Sequence, residues 1–213
     1  MKKTVINMDE LEKGISIKED ILYSENNNEE VYKKLYEKIE EFDIIAKNID
    51  FTKSVFLKCN CQNSKFYQCS FTDTLFEDCD FSNVDFGQAS FLRVSFKNCK
   101  MMGSKFPDTI IYDSEIIESN LMYSNFSDMK WKNLNIEESN FEVSSITNGS
   151  IRNCKFDNVN FQKSQFFQTS LQKLDFRTCN IDGITVDVKD LRGMIVNEWQ
   201  AIELSKLLGI IVK

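Results

Sequence analysis

From Phe51 onward every fifth residue is apolar: Phe51, Phe56, Cys61, Phe66, Phe71, Phe76, Phe81, Phe86, Phe91, Phe96, Met101, Phe106, and so on without insertion or deletion to Leu191. The run holds 29 positions, and at the chain's own apolar fraction of 42% its chance occurrence is about 10^-11. A second column lies two residues earlier, as in Ser54, Cys59, Ser64, Cys69, Thr74 and Cys79, and is small at 23 of 29 positions between Ile49 and Lys189. Residues two apart on an extended chain share a side. Each unit therefore turns one large and one small side chain inward and three polar ones outward. Period five fits neither a helix at 3.6 nor a strand at 2. A chain that corners every five residues and stacks on itself satisfies it, which is a solenoid.

The ends read differently. Residues 1–27 form an extension with an apolar patch at Ile21, Leu22 and Tyr23, predicted to be extended or poorly ordered. Over residues 28–45, Val31, Leu35, Ile39 and Phe42 recur at helical spacing behind Asn28 and two glutamates, which predicts a capping helix. The solenoid is expected over 46–191. Beyond it, Asn197 is an N-cap, Glu198 to Leu208 a helix, Gly209 its stop, and Ile210, Ile211 and Val212 a short strand. Trp199, Ile202, Leu204, Leu207 and Leu208 make that helix apolar on more than the one side a cap needs.

Composition narrows the chemistry. The chain of 213 residues has 18 Phe, one Pro and no His. Sixteen of the Phe lie in the column, so the excess is core lining. Without histidine, imidazole bases and imidazole metal ligands are excluded. Glycine-rich phosphate loops are absent as well. Six of seven Cys fall in the small column and Cys61 in the Phe column, so they read as packing residues and reduced thiols. Stacked neighbours about 4.8 Å apart are too distant for a relaxed disulfide. No catalytic, cofactor or metal site is expected, and an enzyme is not. The first residues turn acidic before any apolar run, and no segment reaches the ~20 apolar residues that span a bilayer. The expectation is a soluble, cytoplasmic protein.

The unit seen in Cys79-Asp80-Phe81-Ser82-Asn83 and Val159-Asn160-Phe161-Gln162-Lys163 resembles the pentapeptide-repeat proteins. That resemblance implies an all-β solenoid, a right-handed quadrilateral β-helix with 20 residues per coil. About seven coils and a rod roughly 35 Å long then follow. The tail from Asp190 through the helix resembles the C-terminal dimerisation module of the quinolone-resistance members. It implies a homodimer through Trp199, Ile202, Leu204, Leu207, Leu208 and Ile210.

Net charge is −7, which argues against direct binding of nucleic acid. Sorted by position modulo 20, one side collects Glu77, Asp78, Glu115, Glu118, Glu137 and Glu138, while another collects Lys53, Arg93, Lys130, Lys132, Arg152 and Lys173. An acidic rod suits a groove built for duplex DNA. By resemblance to the gyrase-interacting members, the partner would be DNA gyrase or topoisomerase IV, met by a DNA mimic. The alternative is a scaffold for an unrelated protein.

Overall fold

A computed structural model describes residues 6–212. The coil is built from one repeated geometry. In each unit the large residue sits at a strand centre or directly after a bridged residue, and the residue two later takes a left-handed conformation that turns the corner, for example Lys53 (φ 52°), Asp73 (φ 51°) and Asp113 (φ 53°). Asn and Asp fill many of these corners, as befits residues that tolerate positive φ. Four such corners close a coil of 20 residues, so Phe51 pairs with Phe71, Phe71 with Phe91 and Phe91 with Ile111 in parallel register.

Two faces are continuous sheets. The eight-stranded sheet runs through Lys34–Glu37, Val55–Leu57, Leu75–Glu77, Ser95–Lys97, Glu115–Ile117 and Asn135–Glu137 to Lys155–Asp157. The seven-stranded sheet runs from Val31–Tyr32 to Ser150–Arg152. The other two faces are joined mostly by single bridges such as Asn120↔Asn140 and Lys105↔Asn125. The result is the right-handed β-helix of about seven coils expected from the repeat.

Inside, the Phe columns stack face to face. Ring centroids are 4.9 Å apart for Phe51–Phe71, 4.9 Å for Phe76–Phe96 and 4.6 Å for Phe106–Phe126, while neighbouring columns meet edge-on. The small column has a second duty. Its hydroxyls and thiols donate to the carbonyl of the large residue one coil below: Ser104 to Phe81 at 2.7 Å, Ser124 to Met101 at 3.0 Å, Cys79 to Phe56 at 3.3 Å. This satisfies the buried donors and explains Ser, Thr and Cys where Ala would also fit. Where the column is oversized, the next coil compensates. Met129 stands beneath Gly149, and a Cβ on Gly149 would lie 2.5 Å from the Met129 methyl.

The N-terminal boundary departs from the sequence reading. Residues 28–45 are not a helix: Val31–Tyr32 and Lys34–Glu37 are strands in register with Phe51 and Phe56, so the coil begins well before residue 46. The capping helix is α1, Ile17–Asn27, inside the segment read as extended or poorly ordered, and the strand Glu12–Lys13 beside it joins the eight-stranded sheet. Residues 1–5 of that segment lie outside the described residues.

Three contacts hold α1 on the open coil. Ile17, Ile21 and Ser24 are buried against it, the Tyr36 hydroxyl donates to Asp20 Oδ2 at 2.7 Å, and Glu41 Oε2 accepts from the Lys18 amide at 2.9 Å. Tyr36 and Glu41 occupy the inward column, and their polar ends reach partners because this coil is the last one.

At the other end α2, Glu198–Ser205, starts with the Asn197–Gln200 capping box and passes through a 3-10 turn, Lys206–Leu208, to Gly209 (φ 74°). Residues 210–212 form no strand, which corrects that expectation. Gln200 is the buried residue of α2. Its Nε2 donates to the Phe176 and Cys179 carbonyls, both at 2.8 Å, so an amide seals the rod end. No helix among the described residues is long and apolar enough to cross a membrane.

Candidate functional site

The outward residues of the eight-stranded sheet form rows one rung apart. Pairing register places Leu57, Glu77, Lys97, Ile117, Glu137 and Asp157 in one row, and Val55, Leu75, Ser95, Glu115, Asn135 and Lys155 in another. Asp78, Glu118 and Glu138 occupy the adjoining left-handed corners at φ 57°, 49° and 48°. The six predicted carboxylates therefore share one face, but in two groups. Glu77 and Asp78 are separated from Glu137 and Glu138 by three rungs, about 14 Å.

Half of these carboxylates are already engaged. Glu115 accepts from Ser95 Oγ at 2.7 Å and faces Lys97 Nζ at 3.6 Å. Asp78 accepts from Asn98 Nδ2 at 2.6 Å, and Glu137 from Asn135 Nδ2 at 2.6 Å. Glu77, Glu118 and Glu138 have no hydrogen-bond or ion-pair partner among the described residues, and these three carry the available negative charge. At the N-terminal end the same face turns apolar: Leu57 and Leu75 with Ile6 and Met8 line a depression of about 310 Å³ that also touches Glu77 and Glu115. The modulo-20 sorting, being confined to charge, missed that patch, though both leucines stand in the sorted positions.

On the C-terminal module, Trp199 is 72% exposed and Leu207, Leu208 and Ile210 are exposed with it, as is Ile202. Leu204 instead packs on the core as a half-buried residue. Ile211, which the sequence reading placed in a strand only, is 83% exposed and extends the patch.

Of the basic sorted positions, Lys130, Lys132 and Arg152 lie on the seven-stranded sheet, Lys53 and Arg93 at its corners, and Lys173 at the corner of the rung beyond its last strand. Arg93 is bound by Asp73 through Nε at 2.5 Å and a terminal nitrogen at 2.8 Å, whereas Lys132 and Arg152 stand directly opposite each other in register. Among the described residues no cluster of three or more His, Cys, Asp or Glu could hold a metal ion. All seven Cys are free and buried, and burial raises the Cys69 thiol to about 12 and the Cys154 thiol to about 11.

A feature the sequence reading did not contain lies past Ser150. In lower rungs of the seven-stranded sheet the residue before each centre donates to the coil below, as Ser90 to Cys69, Lys130 to Thr109 and Ser150 to Met129. The residue two after the centre donates to the coil above, as Arg93 to Tyr112 and Asn133 to Arg152. Both series stop after Ser150. Neither Ser170 to Gly149 nor Asn153 to Gln172 is formed, and on the neighbouring face Asn158 reaches Thr178 Oγ1 instead of a carbonyl. The rung at 170–178 bonds onward to the C-terminal cap, through Leu171 to Asp190, Lys173 to Gly193 and Phe176 to Ile195. The remaining two faces stay joined at Asn160↔Asn180 and Gln165↔Thr185. The coils thus part along one corner into a groove of about 590 Å³ lined from both rungs. The one sequence signal is Leu174, a bulky residue in the small column that lines this groove.

Comparison with known proteins agrees with this architecture. A family profile described as a pentapeptide repeat region matches residues 69–146 and 89–166, and one described as pentapeptide repeats matches 150–183. No curated protein is significantly similar in sequence. Among solved structures, HetL, a pentapeptide repeat protein involved in heterocyst differentiation regulation in the cyanobacterium Nostoc, is 12% identical with a TM-score of 0.59, over 79% of this chain and 93% of its own. QnrB1, a plasmid-mediated fluoroquinolone resistance protein, is 21% identical with a TM-score of 0.46, over 83% of this chain and 91% of its own. With the profile matches spanning more than half of its residues and every coil built on the same five-residue unit, the chain belongs to the pentapeptide-repeat family.

Proposed function

We propose that this protein is a non-enzymatic binding protein that presents its acidic face to a cationic groove of a partner, with a type II topoisomerase, DNA gyrase or topoisomerase IV, as that partner. Pentapeptide-repeat proteins are in general structural or binding proteins rather than enzymes. The observation that carries the reading is the arrangement of Glu77, Glu118 and Glu138: uncompensated carboxylates along one straight, rigid face, with Glu118 and Glu138 one rung apart in the corner column and Glu77 in the adjoining strand row two rungs below Glu118. A rigid row of fixed charges gains attraction to a basic groove without the entropy cost of ordering a flexible segment. The tail's resemblance to the quinolone-resistance members makes the topoisomerases the first partners to test. The same tail supports a homodimer: Trp199, Leu207, Leu208, Ile210 and Ile211 leave an apolar patch on the outer side of the cap.

The test is gyrase supercoiling with and without ciprofloxacin. The expected result is inhibition, or protection from the drug, at micromolar protein, abolished in a Glu77→Lys/Glu118→Lys/Glu138→Lys variant. No effect of the wild-type protein on either enzyme would sink the proposal. A second reading, a scaffold for an unrelated protein, is favoured by Lys97 and Ile117, which interrupt the acidic row between Glu77 and Glu137. Absence of any effect of the wild-type protein on the topoisomerases would select it, whereas retention of activity in the charge-reversed variant would move the topoisomerase site off the acidic face. The dimer is checked by light scattering: twice 24.9 kDa for the full chain, and a monomer for Trp199→Glu/Leu208→Glu.

A further inference from the structure

The groove at the parted corner is a place where a parallel sheet ends in the middle of the molecule. The strand Ser150–Arg152 pairs on one side with Lys130–Lys132. On its other side, the Ile151 and Asn153 amides and the Gly149 carbonyl have no backbone partner among the described residues, although the next rung follows 20 residues later. Unpaired strand edges are templates for another strand, and natural proteins cover them. Here the rod covers every lower rung and leaves this one open.

The charge around the opening has a consistent sign. Arg152 and Lys173 line the groove from its two rungs, and Lys130 and Lys132 lie on the adjacent strand. None of the four is in an ion pair among the described residues. Of the carboxylates on this face, Asp113, two rungs below the groove, is engaged by Asn133 Nδ2 at 2.6 Å, and Asp190 stands one rung above Ser170 with its Oδ2 buried outside the groove lining. Lys132 and Arg152 are direct cross-strand neighbours, an arrangement that destabilises the sheet by like-charge repulsion. Free edge groups and an uncompensated basic cluster coincide, and the groove volume falls in the range of ligand sites.

We propose that this groove binds an extended, acidic segment of a partner protein by strand addition. The segment pairs its main chain with the Ile151 and Asn153 amides and the Gly149 carbonyl, and sets carboxylates against Arg152, Lys173 and Lys132. A peptide backbone matches the edge in repeat and in donor–acceptor alternation, which a phosphate backbone does not. The site is separate from the acidic face, so it stands or falls independently of the topoisomerase reading.

The probe is a fluorescein-labelled, end-capped peptide of alternating Glu and Val, five residues long, added to the full-length protein. The expected result is saturable binding by anisotropy, with amide exchange at Ile151 and Asn153 slowed at least tenfold. Arg152→Glu/Lys173→Glu should weaken binding at least tenfold. Both side chains are exposed, so the fold survives, as circular dichroism checks. Lys53→Glu, at a remote corner beside the same sheet, should leave binding unchanged. Absence of saturable binding, or binding that leaves those amides unprotected or ignores the double variant, overturns the proposal. So does a ten-nucleotide oligo-dT that protects the same amides and displaces the peptide at equal concentration, because the site would then belong to phosphate.

Discussion

Val143 stands at a corner where the chain turns left-handed, at φ 57°, and is exposed there. A β-branched residue in that region is strained by contact of its Cβ with the following carbonyl, at a cost of about 1–2 kcal/mol. The corner still closes: the Val143 amide donates to the Gln162 carbonyl at 2.9 Å. Val143→Asn keeps that bond and relieves the strain, so it should raise stability by about 1 kcal/mol, read as an increased urea midpoint at unchanged slope. The same residue scale decides the thiols. Burial raises Cys154 to about 11 and Cys69 to about 12, above the ordinary thiol value of 9.0. As pH climbs through 9, the unfolded chain releases protons that the folded chain keeps. Stability is therefore full below pH 9 and falls above it, by up to about 1.4 kcal/mol per pH unit for each such thiol. Urea midpoints at pH 8 and pH 10.5 should show the drop, and Cys69→Ser should make it smaller. A midpoint equal at both pH values would contradict the burial of these groups.

At the scale of elements, the middle of the chain was legible and the ends were not, for a physical reason. Interior units satisfy one rule, because each has a coil above and below that demands a large and a small inward residue. Terminal units have a cap on one side. That freed Glu41 to occupy an inward position and hid the register that Val31 and Tyr36 otherwise continue, while Leu35, Ile39 and Phe42 imitated a helix. The true helix carried its own sign in Ser16 followed by Glu19. Ser16 Oγ accepts from the Glu19 amide at 3.1 Å, with Ile17, Ile21 and Ser24 on one side. At the other end the stripe of apolar residues on α2 suggested that Leu side chains close the rod, yet Gln200 does so. Two carbonyls of the last coil have no further strand to accept from, and a single amide serves both. Gln200→Leu preserves size but strands the Cys179 carbonyl and leaves the Phe176 carbonyl with the Cys179 amide alone, so it should cost about 1–3 kcal/mol. Gln200→Glu removes the donors as well and should be at least as damaging, whereas Glu203→Gln on the exposed side of α2 should change the melting temperature little.

For the whole molecule, the candidate site was readable as a side of the rod but not as a set of free charges. Position modulo 20 fixes which carboxylates share a face; only side-chain geometry shows that Ser95, Asn98 and Asn135 engage half of them. The parted corner was hidden for another reason, since the Phe column runs through Ile151, Phe156, Leu171 and Phe176 unbroken. This parting bears on how the rod unfolds. In a solenoid each coil is held by its neighbours, and stability is approximately a sum of coil and interface contributions. Between the rungs at 150–158 and 170–178 the interface keeps two bonded faces and loses two, while the rung at 170–178 stays bonded to the C-terminal cap. The weakest interface therefore sets the boundary of a cooperative unit comprising residues 170–212. Native-state hydrogen exchange should show amides bonded within that unit, such as Leu171, Lys173, Phe176 and Ile195, opening together at a lower free energy than Phe81, Phe106 or Leu121 in the rod. Filling the groove with the acidic peptide should raise the first group toward the second. Equal protection across both groups would mean that the two remaining bonded faces couple the cap to the rod as strongly as four do elsewhere.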